Sequence, residues 1–271
     1  MPESAQSRVA DFAPRLTLFG RSQGVPLPAA KIRGWNGLLA QAENAGSAPG
    51  SLGRVTACAA RIEVEEGARI AVTNLRGYLG HLFGSDDTEF HHHDENPYRY
   101  PLVQYKKLGK DLVVLGINDY ARVVQSRLPA LTHINLPRSR ARVTAVSIET
   151  RTTEVTEGYA AYAFATPWLA LNSENYARYR SLEARLRPGF LEGLLVANTL
   201  SFLKGVGIRV PFRVRARLGR SRPTSVICND NRFMGIWADF ALNVTLPDHV
   251  GLGKSVAKGF GAIAREGEAR Q

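Results

Sequence analysis

Four of the six histidines fall between positions 81 and 93: His81, then His91, His92 and His93 in "SDDTEFHHHDENPYRYP". Imidazole titrates near neutrality, so one ring can take a proton and another can return it. At a ribose-phosphate link such a pair needs no metal. A base removes the 2′-OH proton, the oxygen attacks the adjacent phosphorus, and an acid protonates the departing 5′-oxygen. The products are a 2′,3′-cyclic phosphate and a 5′-hydroxyl, and DNA, which lacks the nucleophile, is excluded. If 91–93 is extended, His91 and His93 share a face and His92 points away. Two other roles suit the same run. His91 and His93 with Asp94 or Glu95 offer metal ligands, although three adjacent residues rarely all reach one ion and no distant Cys/His pair completes a site. The flanking "DDTE" and "DEN" also suit a solvated polar loop. His81 falls in a helical pattern and reads as surface or packing. His133 and His249 are isolated, and His249 lies beside a glycine-rich stretch.

That stretch is "PDHVGLGKSVAKGFGAI" (247–263). The phosphate loop of nucleotide triphosphatases needs a glycine five positions before the Gly-Lys-Ser. Asp248 occupies that place, an acid where phosphate oxygens would lie. What remains is Gly251-x-Gly253 and Gly259-x-Gly261 around Lys254 and Lys258. Glycines permit close backbone approach and can expose successive N–H groups as an anion-binding concavity. Upstream, "RVPFRVRARLGRSR" (209–222) holds six arginines, and Arg213, Arg215 and Arg217 alternate onto one strand face. "PRSRAR" repeats the pattern with Arg138, Arg140 and Arg142. Guanidinium groups pair with phosphates in a fork and stack on bases.

The bulk charge agrees. Thirty-five Lys and Arg against 24 Asp and Glu give +11. Residues 1–135 carry 15 basic and 13 acidic groups, hence +2; residues 136–271 carry 20 and 11, hence +9. The excess in the C-terminal half points to a polyanionic partner. Cys58 and Cys228 are too few for a disulfide framework, so a reducing, cytoplasmic setting is expected. No apolar run of membrane-spanning length appears, and the N-terminus lacks a secretory layout. No cofactor and no metal are expected.

The elements that must position these groups are readable from residue 54 onward. Residues 54–66 read as a strand, 73–84 as a helix, 100–118 as two strands around Leu108-Gly109-Lys110, and 119–131 as a second helix. Residues 140–155 and 158–171 read as a strand pair. Helices follow over 173–186 and 188–207, then strands over 209–218 and 233–247. Strand, helix, hairpin, helix is most of a ferredoxin-like unit. The expected architecture is α+β, with two tandem ferredoxin-like (RRM-like) halves joined near 133–140. The N-terminal half covers 54–135 and carries the histidines; the C-terminal half covers 136–271 and carries the glycine-rich loop. Residues 1–53 form an extension of unread role, with one short amphipathic helix over 31–44.

A C-terminal Gly-x-Gly-Lys-x-x-x-x-Gly-Phe-Gly loop on two such halves resembles the CRISPR repeat-processing endoribonucleases of the RAMP superfamily, Cas-six type. "GLGKSVAKGFGAI" matches that loop including Phe260, and "NLRGYLGHLF", the histidines and "YRYPLVQYK" resemble the N-terminal half of one branch. The likeness spans about residues 54–265. It implies a metal-independent endoribonuclease that matures CRISPR repeat RNA, retains its product and passes it to other CRISPR-associated proteins of an interference complex. The alternative within the superfamily is a non-catalytic guide-RNA-binding subunit. It also implies a catalytic histidine between the first helix and the Tyr-Pro that opens the next strand. His93 is the first candidate base and His91 the second, with Tyr100 or Tyr98 to orient the phosphate or act as acid. RNA contact then falls to Gly251, Gly253, Lys254, Lys258, Gly259, Gly261, Arg213, Arg215 and Arg217.

Overall fold

The computed structural model describes residues 50–83, 100–228 and 230–266. Strand β1 (Ser51–Val64) is a run of small and β-branched residues because both its faces are covered. Val55, Ala57 and Ala59 turn to one core, Cys58, Ala60 and Ile62 to another. The second core lies under two helices. Helix α1 (Val72–Phe83) contributes Leu75 and Leu79, and α2 (Asp119–Arg127) contributes Ala121 and Val124. Between them β2 (Val103–Leu108) and β3 (Asp111–Ile117) form the expected antiparallel hairpin.

Strand β4 (His133–Leu136) turns tightly into β5 (Ser139–Phe164). The strand pair expected over 140–155 and 158–171 is instead this one 26-residue strand. Gly158 reads as a turn but marks only a register shift between Glu157 and Ala160. The strand changes neighbours there: 143–156 pair with β1, and 157–163 pair with β7 (Asn231–Val244).

After β5 come α3 (Ser173–Ser181) and α4 (Arg187–Gly205). The expected helix over 173–186 stops at Ser181 because Leu182 is extended, with ψ 142°. Helix α4 buries Leu191, Leu195, Phe202 and Leu203. Strand β6 (Ala216–Cys228) pairs β7, and β8 (Ile263–Arg265) pairs β5. The strand expected over 209–218 thus starts seven residues late. Pro223 is tolerated within β6 because that strand ends the sheet.

Two ferredoxin-like units result, with strand orders β5-β1-β3-β2 and β8-β5-β7-β6, all neighbours antiparallel. Strand β5 is the last strand of the first unit and the first strand of the second. In the second unit, the place of a second helix between β7 and β8 is taken by the glycine-rich loop. No helix among the described residues is long and apolar enough to cross a membrane.

Candidate nucleic-acid interface

The loop is built as a narrow two-armed ribbon. His249 N–H donates to Ile263 O at 2.8 Å, Leu252 N–H to Gly261 O at 2.8 Å, and Ile263 N–H to Val250 O at 3.1 Å. Between the arms a single 3₁₀ turn (Val256–Lys258) is entered through Ser255 and left through Gly259, both in the left-handed region at φ 56° and 99°. Two glycines are dictated by contact. At Gly253 (φ 98°) a Cβ would stand 2.7 Å from Trp168 Nε1, and at Gly261 it would run into the Leu252 carbonyl of the opposite arm.

The expected concavity of free amides is not what these glycines make. Gly251 N–H donates to Gln104 Oε1 at 3.0 Å, Lys254 N–H to Leu169 O at 3.0 Å, and Gly261 N–H to Pro167 O at 2.9 Å. The amides are spent inside because the arms must lie tightly against each other and against 167–169. Lys254 is exposed, Lys258 half-buried, and Val256 and Ala257 anchor the turn in the core.

Tyr100 ties this loop to the first unit. Its hydroxyl donates to Gly251 O at 2.7 Å and accepts from Gln104 Nε2 at 2.7 Å. With the Gly251 N–H bond to Gln104, both backbone groups of Gly251 are held by two side chains at the start of β2. Burial drives the phenol pKa well above its ordinary value. A buried, protonated hydroxyl that already gives its hydrogen to a carbonyl faces the interior rather than a phosphate. It therefore acts as a pin, which differs from the phosphate-orienting or acid role expected of it. Gln104 is a member of this contact that sequence reasoning missed; its place two residues before Lys106 on a strand buried on both faces was the available signal.

Beside the pin lies a cationic cluster. Lys106 and Arg61 both pair with Val113 across the sheet, while Glu149 pairs with Ala59 and Arg151 with Ala57. By strand alternation these side chains share the face that meets the second unit. Lys106 is fully buried, its Nζ has no hydrogen-bond partner among the described residues, and burial lowers its pKa to about 7. Arg61 is paired with Asp111 at 3.3 Å. His249, half-buried and at φ 64°, is lowered to about 4 by burial and then by Arg61, Lys106 and Arg151, with Glu149 opposing. Its ring is neutral at pH 7.

The arginine face of 213–217 exists, but most of it precedes the strand. Val214 is buried and its neighbours are exposed, as alternation requires. Asn243 replaces the missing ladder: its Oδ1 accepts from Arg215 N–H at 2.7 Å and its Nδ2 donates to Arg213 O at 3.1 Å. Arg217 lies 3.6 Å from Glu192, whereas no carboxylate pairs with Arg213 or Arg215 among the described residues. Arg138, Arg140 and Arg142 are exposed on the β4–β5 hairpin. His91, His93 and Tyr98 lie outside the described residues.

Comparison with known proteins bears on both units. Residues 56–154 match the family model of the Cas6b N-terminal domain, and residues 154–266 that of the Cas6b C-terminal domain. A Methanocaldococcus jannaschii protein described as "Uncharacterized protein MJ0978" is 36% identical over 111 residues, 41% of this chain and 76% of its own length. Among solved structures, one described as "Crystal structure of Cas6b" superposes with a TM-score of 0.71 at 22% identity, covering 79% of this chain and all of its own. Another, "Crystal structure of CRISPR RNA processing endoribonuclease Cas6b", gives 0.62 at 20% over 79% of this chain and all of its own.

Proposed function

The chain belongs to the Cas6b family, and we propose on that premise that it is an endoribonuclease that cuts CRISPR repeat RNA. His93 takes the 2′-OH proton, with His91 the second candidate for that base; the 2′-oxygen bonds to phosphorus as the bond to the 5′-oxygen breaks, and that oxygen leaves with a proton from an acid, for which Tyr98 is the candidate. A 2′,3′-cyclic phosphate and a 5′-hydroxyl remain, and no metal takes part. Lys254, Arg213 and Arg215 hold the flanking phosphates. The product stays bound and passes to partner proteins of an interference complex.

The observation that carries this reading is the closed contact of Tyr100 and Gln104 with Gly251. It locks the lysine-bearing loop of the second unit to the residues that follow the histidine run. Tyr100 is a positioning residue here.

The test is cleavage of repeat RNA in excess EDTA with analysis of the end groups. Cyclic phosphate and 5′-hydroxyl ends are expected, and the His91→Ala/His93→Ala double variant should bind RNA yet fail to cut. Wild-type protein that binds repeat RNA and never cuts it would replace this reading with that of a guide-RNA-binding subunit.

A further inference from the structure

A cleft of about 350 Å³ opens between α1 and β4. Its walls include Tyr78, His81, Phe83, Arg127, His133 and Asn135, and no carboxylate lines it among the described residues. The Tyr78 and His133 rings stand 6.1 Å apart at 51°, and the Arg127 guanidinium lies 5.7 Å from the centre of the Phe83 ring. Two flat faces and a planar cation therefore border one opening.

The hairpin register adds a charged rim. His133 pairs with Arg142, Ile134 with Ala141 and Asn135 with Arg140. Ile134 and Ala141 are buried, so the other two pairs share the outward face. Arg140 and Arg142 thus stand over the cleft that His133 and Asn135 line. This opening lies at the β4 edge of the first unit, beside the core that holds Leu75 and Ile134. The Tyr100 contact lies in the other core.

We propose that this cleft is an accessory subsite for single-stranded RNA. One unpaired base stacks on the outer face of the Tyr78–His133 ring pair, Asn135 meets its edge, and Arg140 and Arg142 hold the phosphates on either side. Stacking surfaces combined with guanidinium groups suit unstacked bases, which a duplex does not offer. The subsite rests on the reading of RNA as the partner, and it extends the RNA path beyond the glycine-rich loop to the β4 edge of the first unit.

The test uses the full chain and a repeat-containing single-stranded RNA bearing 4-thiouridine, with anisotropy titrations between low and high salt. Two lost phosphate contacts at roughly 0.7 each should flatten the slope of log K against log salt by about 1.4 in Arg140→Ala/Arg142→Ala, and should weaken binding roughly tenfold near 0.15 M salt. Photocrosslinks should map to peptides holding Tyr78 or His133 and fade in His133→Ala. Wild-type binding with an unchanged slope in the double variant and no crosslink at those peptides overturns the subsite and leaves RNA as partner. Absence of wild-type binding at any salt overturns both.

Discussion

Replacing Tyr100 by Phe removes one oxygen and keeps the ring that packs edge-on against Phe202 at 5.2 Å. No cavity is made, so the several kcal/mol that truncation of a buried aromatic costs does not enter. What is lost is the donor to Gly251 O; Gln104 Nε2 keeps its bond to Pro101 O at 3.0 Å. One buried carbonyl left unsatisfied costs about 1–3 kcal/mol. For a domain of this size that is a melting-temperature drop of roughly 2–12 °C. Gly251 then keeps only its N–H anchor, and slack in the loop should lower kcat/KM for repeat RNA by about tenfold to a hundredfold. Thermal unfolding and single-turnover cleavage on the same preparations check both numbers. Gln104→Leu should lower them in parallel, and the double variant should cost less than the two singles together, since all three residues form one bonded unit. Native stability with a rate loss of about a thousandfold, and a lost basic limb of the pH profile, would refute the pin and make Tyr100 the proton donor. Unchanged stability and unchanged rate would refute any role for the contact.

Lys106 carries the opposite expectation. Its amine gains a proton less readily folded, at about 7, than unfolded, at 10.5, so the folded protein loses stability as pH falls from 10.5 to about 7 and no further below that. Lys106→Met should therefore be more stable than wild type near pH 7, by about 1–4 kcal/mol, with the gain shrinking towards pH 10; urea unfolding at both values reads it, and a pH-independent difference would sink the idea. His249 is depressed to about 4 from 6.5, so stability present above pH 6.5 is lost as pH falls towards 4. His249→Asn, which tolerates the left-handed backbone, should flatten that decline in acid titrations followed by circular dichroism. Lys254→Ala should reduce the salt slope of RNA binding by roughly 0.7, and an identical slope would mean that this lysine only faces solvent.

The two ferredoxin-like units were legible because their periodicities are strong and local. The hairpin at Gly109, the helices at Leu75–Leu79 and at Leu195–Phe202, and the glycine ribbon all appear where residue patterns put them. The long strand was not legible. Gly158 and the charged residues around it carry a turn signal, and only pairing with β1 and then β7, both distant in sequence, keeps the strand extended. The late start of β6 has a similar cause: the side chain of Asn243 imitates a strand partner for 213–215. At the interface the charged residues were easy to find and the neutral ones were not. Gln104 looks like any polar strand residue until its amide meets Gly251, and Lys106 looks exposed until the second unit covers that face.

The strand common to both sheets has a mechanical consequence. Stitched to β1 over one stretch and to β7 over the next, it welds the units together instead of tethering them. Swinging them apart would tear the ladder, so yielding to a bulky ligand falls to exposed side chains. Nor can the molecule be divided at residue 136. The front fragment would leave β1 with a naked edge, an invitation to pair with its own copies.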